Sequence, residues 1–219
     1  MIEQSALLRL LTWLSPAFPT GGFAYSHALE WSVEAGAVTD EADLIDWIGD
    51  ILAQGALWSD AILLRHAHRA EAAQLPELAR LATAIAPSLE RRRETLAQGA
   101  AFREAARPWP APELQSWPDA PLPYPIAIGI LAAAQTIAED DTVLAFLHAS
   151  TANLISAAVR LIPLGQSAGL RAQAALEPGI LATAGLSKTA TLDDLGTACW
   201  RSDIASMRHE TQYTRLFRT

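Results

Sequence analysis

The chain has 219 residues, 51% of them hydrophobic, with 24 acidic against 16 basic side chains and a net charge of −8. That length and apolar content are enough for one continuous core, and the acidic balance repels phosphate backbones, which argues against nucleic acid as a partner. Cys199 is the only cysteine, so no intramolecular disulfide can form and a reducing, cytoplasmic setting is expected. The opening residues lack the basic stretch of a signal peptide. The uncharged runs at 120–138 and 142–159 are broken by prolines or by hydroxyl and amide side chains. A membrane span needs ~20 mainly apolar residues, so both runs read as helices covered by protein.

In chain order, leucines 7, 8, 10, 11 and 14 form an apolar stripe that predicts a helix over 3–14. Pro16, Pro19 and the Gly21-Gly22 pair stop it. A second helix is expected over 23–36. Thr39 or Asp40 reads as the cap of a third, whose pattern runs to about 70, with a kink possible at Gly49 or Gly55. Residues 76–86 predict a shorter helix, and Ser88 caps one running to about Arg107. Six prolines between 108 and 123 exclude regular helix there, giving the longest loop but no domain boundary. Helices are expected at 125–138, 141–161 and 163–176, an irregular stretch at 178–190, and a last helix at 191–200. No run alternates apolar and polar residues over strand length. The fold class is therefore all-α: a single-domain bundle of roughly eight to ten helices over 1–202, followed by a tail over 203–219.

The tail has too few apolar residues on one face to bury itself, yet it carries Met207, Tyr213, Leu216 and Phe217 among Arg208, Arg215 and Arg218. Aromatics mixed with arginine suit a protein interface. A frayed terminus and a segment that orders on a partner fit this composition about equally.

Candidate chemistry is sparse. His66 and His68 are two apart and diverge on a helix. No metal-binding motif is present, and neither a catalytic residue nor a cofactor site can be assigned. Ser26 beside His27 invites a nucleophile reading, but helix neighbours do not face each other and no acid is placed to orient them. A small helical enzyme or ligand-binding protein using Ser26/His27 or His66/His68 stands as the alternative function. Glu30 reads as a surface or cap charge, the run from Glu90 to Glu94 as a solvated helix face, His148 as a core residue, and Asn153 and Gln166 as structural amides.

Three stretches together resemble the UreF family of urease accessory proteins: SPAFPTGGFAYSHALE (15–30), NLISAAVRLIPLGQ (153–166) and DIASMRHETQYTRLFR (203–218). Weaker echoes are ETLAQG (94–99) and YPIAIG (124–129). Ala28 stands where a glycine is common, and Leu170 where glutamine is frequent. The resemblance implies an all-helical homodimer without catalytic activity of its own. It implies a role in nickel insertion, bridging a UreD/UreH-type accessory protein and a UreG-type GTPase on the way to apo-urease. The residues expected to meet partners are Arg208, His209, Tyr213, Arg215, Leu216 and Phe217 in the tail, and Phe18, Gly21, Gly22, Phe23 and Tyr25 in the proline-glycine segment. For that segment, an interface and a tightly packed internal turn are equally good readings.

Overall fold

The computed structural model describes residues 2–219, and among them only helices and loops occur. Helix α1 (Gln4–Trp13) buries Ala6, Leu10 and Trp13 and leaves Leu7, Leu8 and Leu11 outside. The expected second helix is shorter than its pattern. A single 3-10 turn covers Gly22–Ala24, and α2 (Leu29–Glu34) begins only after His27 and Ala28, which sit at φ 51° and 64°. That left-handed geometry cannot belong to a right-handed helix and strains any residue with a Cβ. It is also a physical reason for glycine at position 28.

Asp40 caps α3 (Glu41–Gln54) by accepting from the Asp43 amide at 2.9 Å. The long pattern towards residue 70 is divided at Gly55, whose extended backbone ends α3 before α4 (Ala56–Arg69) begins. Helix α5 (Leu75–Ala84) follows, then α6 (Leu89–Ala105), capped by Ser88 through the Arg91 amide. The proline-rich stretch contains one short turn, α7 (Pro112–Gln115), and is packed rather than loose: Ala111, Leu114, Trp117 and Leu122 are buried. Trp109 stacks edge-on against Trp13, with ring centres 5.6 Å apart.

Helices α8 (Tyr124–Ala134), α9 (Glu139–Leu161) and α10 (Gly165–Leu186) complete the centre. Helix α4 packs on α8, α3 and α9, while α10 lies along α9 and α3. Helix α9 is apolar and long enough to cross a membrane by composition alone, but it runs through this bundle and half of its apolar window is buried. Helix α10 absorbs most of the stretch expected to be irregular. Pro178 lies inside it on the exposed side, where water can satisfy the carbonyl its missing N–H leaves free. The helix expected at 191–200 does not form: a single 3-10 turn covers Leu192–Asp194, and the last helix, α11 (Trp200–His209), begins only at the expected end.

Two glycines set the closest approaches. A Cβ at Gly129 would lie 2.6 Å from the Leu64 carbonyl oxygen, and one at Gly99 would lie 1.9 Å from that of Leu122. These glycines are what let α8 lie directly on α4 and α6 meet the strand of chain that leads into α8.

Candidate partner-docking site

The three stretches 15–30, 153–166 and 203–218, far apart in sequence, meet on one side of the bundle. Asn153 of α9 donates to the Gly22 carbonyl at 3.0 Å, and Arg160, two turns later, donates to the Phe23 carbonyl at 2.8 Å. The Arg160 guanidinium also lies over the Phe217 ring, 4.4 Å from its centre. The chain end then pairs with the turn: Arg218 N donates to Ala24 O and Ser26 N to Thr219 O, each at 2.8 Å. Phe18 is held between Phe102 and Trp109, with ring centres 5.5 and 6.2 Å away.

The tail is therefore seated on its own domain, which fits neither a frayed terminus nor a segment that takes shape only on a partner. Residues 203–209 belong to α11, and His209, Phe217 and Thr219 are buried. Apolar content was the wrong measure, because the attachment is mostly ionic and hydrogen-bonded. Glu30 accepts from the amides of Leu216 (2.6 Å) and Phe217 (2.9 Å). Glu90 accepts from Arg215 at 3.0 Å and from His209 at 2.7 Å. Glu94 accepts from the Thr219 hydroxyl at 2.8 Å.

Glu30 is thus neither a surface nor a cap charge, and Glu90, Arg91 and Glu94 are buried rather than solvated. Only Arg92 and Arg93 of that run face water. Glu94 lies 2.7 Å from His27 Nε2 and 2.6 Å from Arg91 Nη1. Burial alone would raise its carboxyl; the Arg91 guanidinium, then His27, overcome this and hold it at about 2. Asp60, 3.6 Å from Arg91 Nη2, is pushed up by burial. A cavity of about 80 Å³ lies beside His27, Asp60 and Arg91, below the Gly22-Phe23 turn.

The partner residues expected from sequence divide into two groups. Arg208, Tyr213, Arg215, Leu216 and Phe23 are exposed, whereas His209, Phe217 and Tyr25 are buried and Phe18, Gly21 and Gly22 are partly covered. A charge placed at Tyr25 would accordingly disturb folding before it reported on binding. His148 is exposed rather than in the core, and Gln166 is exposed too. The Ser26 hydroxyl donates to Thr219 O at 2.5 Å, while His27 turns to Glu94 and Arg91, so the two do not form a nucleophile–base pair. His68 contacts the Ile137 carbonyl at 2.8 Å. Among the described residues, no group of three or more His, Cys, Asp or Glu is placed to hold a metal ion.

One feature of this side was missed in the sequence. Helix α11 turns Asp203, Ser206 and His209 inward and Trp200, Ile204 and Met207 outward, with Trp200 71% exposed. The spacing i, i+4, i+7 was legible, but a helix assumed to end at residue 200 cut it in two. Leu89 is exposed at the adjoining start of α6, where Ser88 and Ser206 share a 2.6 Å hydrogen bond.

The model of the UreF family matches residues 38–177. The urease accessory protein UreF of a Bradyrhizobium strain (BTAi1) is 52% identical, across 100% of this chain and 94% of the relative. This chain belongs to the UreF family. UreF of Rhodopseudomonas palustris (strain BisB5) is likewise 52% identical over 99% of the chain and 93% of its own length. UreF of Xanthobacter autotrophicus (strain Py2) is 51% identical over 98% and 91%. The family stretches outside the matched region, 15–30 and 203–218, are those that fold onto each other around α9 here.

Proposed function

We propose that this urease accessory protein is a non-catalytic cytoplasmic adaptor in nickel insertion. It docks a UreD/UreH-type partner on the α11 side and bridges it to a UreG-type GTPase and to apo-urease. The observation that carries this reading is the inverted helix α11. A terminal helix in water gains by covering its apolar side, and α11 instead offers Trp200, Ile204 and Met207 to the outside. Tyr213 and Leu216 extend the same exposed apolar character, and Arg208, Arg92 and Arg93 stand free of ion pairs around it among the described residues. Aromatic and aliphatic anchors with arginines at the rim suit a partner surface that is apolar at its centre and acidic at its edge.

Deleting 203–219 is a poor test, because it would strip the cover from Glu30, Glu90 and Glu94. Replacing Trp200 and Ile204 together by aspartate touches only exposed positions. The double variant should keep its helicity and lose at least about tenfold in affinity for the UreD-type partner, as loss of one or two anchors does at protein interfaces. Wild-type co-purification of that variant would refute the α11 docking face.

The homodimer in this reading is supported on another side of the molecule. Between α1, α9 and α10 runs a groove of about 700 Å³ lined by Leu7, Leu11, Leu144, Ile180 and Leu181, with few polar residues. Two copies each carrying −8 meet at least electrostatic cost where charge is sparse. Leu11→Arg with Leu181→Arg should halve the mass seen by light scattering at unchanged helicity. An unaltered dimer mass would move the contact elsewhere.

A further inference from the structure

Residues 210–219 are held with little apolar help, since Phe217 is their only buried hydrophobic side chain. His209, immediately before them, is fully buried. Its Nδ1 lies 2.7 Å from Glu90 Oε2 on α6, and its Nε2 lies 3.2 Å from Glu30 Oε2 on α2. The same two carboxylates receive the rest of the tail, Glu30 through the Leu216 and Phe217 amides and Glu90 through Arg215. One ring therefore spans both walls of the groove in which the tail lies.

A neutral imidazole has one N–H and one lone pair. It can donate to Glu30 or to Glu90, and its other nitrogen then faces a carboxylate oxygen with no water between. Only the doubly protonated ring donates to both. With Arg215 and the charged ring against two ionised glutamates, the cluster is neutral; without the ring proton, one negative charge is left uncompensated in a buried place.

We propose that His209 is a protonation-controlled catch that fastens residues 210–219 to α2 and α6, so that pH sets how freely the tail can be rearranged on a partner. This deepens the partner-docking reading, because the same tail carries Tyr213 and Leu216. Its test uses no partner, so either can fail while the other stands. The groups facing the catch are Glu30 on α2, with Glu34 beyond it bound by Gln212 Nε2 at 2.5 Å. Glu90 faces it from α6, Arg215 from the tail and Glu210 from the end of α11. A second attachment lies farther along, where Thr219 meets Glu94, itself paired with Arg91 and His27. Burial pushes the Glu90 carboxyl up against the pull of His209 and Arg215.

The test is amide hydrogen exchange on the full chain at about pH 6 and about pH 9, corrected for intrinsic rates. In the wild type, protection of 212–219 should fall about tenfold or more at the higher pH while α8 is unaffected. In His209→Gln, protection should be low at both. Equal wild-type protection at the two pH values, or an unchanged pH response in His209→Gln, overturns the proposal. Should that variant fail to fold, nitrogen-15 spectra of the wild-type ring decide the matter. Both ring nitrogens should carry protons while the tail is docked, and a neutral ring in the docked state overturns the catch.

Discussion

Replacing Gly99 by alanine is expected to destabilise the protein by about 4 kcal/mol or more, beyond ordinary overpacking, because the clash is with backbone. The new methyl would sit 1.9 Å from the Leu122 carbonyl oxygen and 3.0 Å from the carbonyl carbons of Leu122 and Pro123. No rotamer can relieve that contact. The chain entering α8 would have to move off α6, stretching the 3.1 Å hydrogen bond from the Tyr124 amide to the Thr95 hydroxyl. For a domain of this size the melting midpoint should fall by roughly 10 °C or more. Gly49→Ala, inside α3, and Gly185→Ala, in the last turn of α10, are the controls, since a Cβ at either meets nothing within 4 Å; each should be neutral or gain about 0.5–1 kcal/mol. Thermal melts followed by helical circular dichroism compare the three. A Gly99→Ala protein that melts with the wild type would mean that α6 and Leu122 are not in this contact.

Glu94→Gln should cost about 3–5 kcal/mol at neutral pH, the usual result of breaking a buried ion pair from one side. The amide leaves the Arg91 guanidinium buried with Asp60, 3.6 Å away, as its remaining ion-pair partner, and it weakens the seats of His27 and Thr219. The pH dependence follows from the carboxyl itself. Held at about 2 instead of 4.5, it contributes stability that is complete above the ordinary value and is lost as pH falls through about 2. The linkage is worth about 3 kcal/mol at neutral pH, of which about 2 kcal/mol disappears by pH 3. The stability gap between wild type and variant, measured by urea unfolding, should therefore narrow by that amount between pH 7 and pH 3. A gap that stays constant over that range would show that Glu94 is not held ionised by Arg91.

Both effects concern residues whose types the sequence displays and whose roles it hides. Gly99 and Gly129 end the short segments ETLAQG and YPIAIG, and as letters they are merely weak points in helices. Their necessity arises from what lies opposite, Leu122 in one case and Leu64 in the other. The run from Glu90 to Glu94 reads as a solvated face because five consecutive charges are normally exposed. Here one helical face of it, Glu90, Arg91 and Glu94, is covered by His209, His27 and the last residues of the chain. The tail fails the test of apolar content for the same reason. Its attachment uses backbone amides and counter-charges on helices more than a hundred residues away, which no local pattern records.

By itself the sequence determined the helical class, the cap at Ser88, the narrowing of the α3 cap to Thr39 or Asp40, the break after Leu14 and the family, since each depends on local periodicity, on side chains bonding their own backbone, or on motifs read in order. Only the tertiary structure decided that α2 starts late, that Pro178 lies within a helix, that α11 turns its apolar side outward and that residues 210–219 are seated on Glu30, Glu90 and Glu94. Those outcomes depend on energies between groups remote in the chain: a carboxylate finds its histidine, or a helix its neighbour's backbone, only after the bundle has closed around α9.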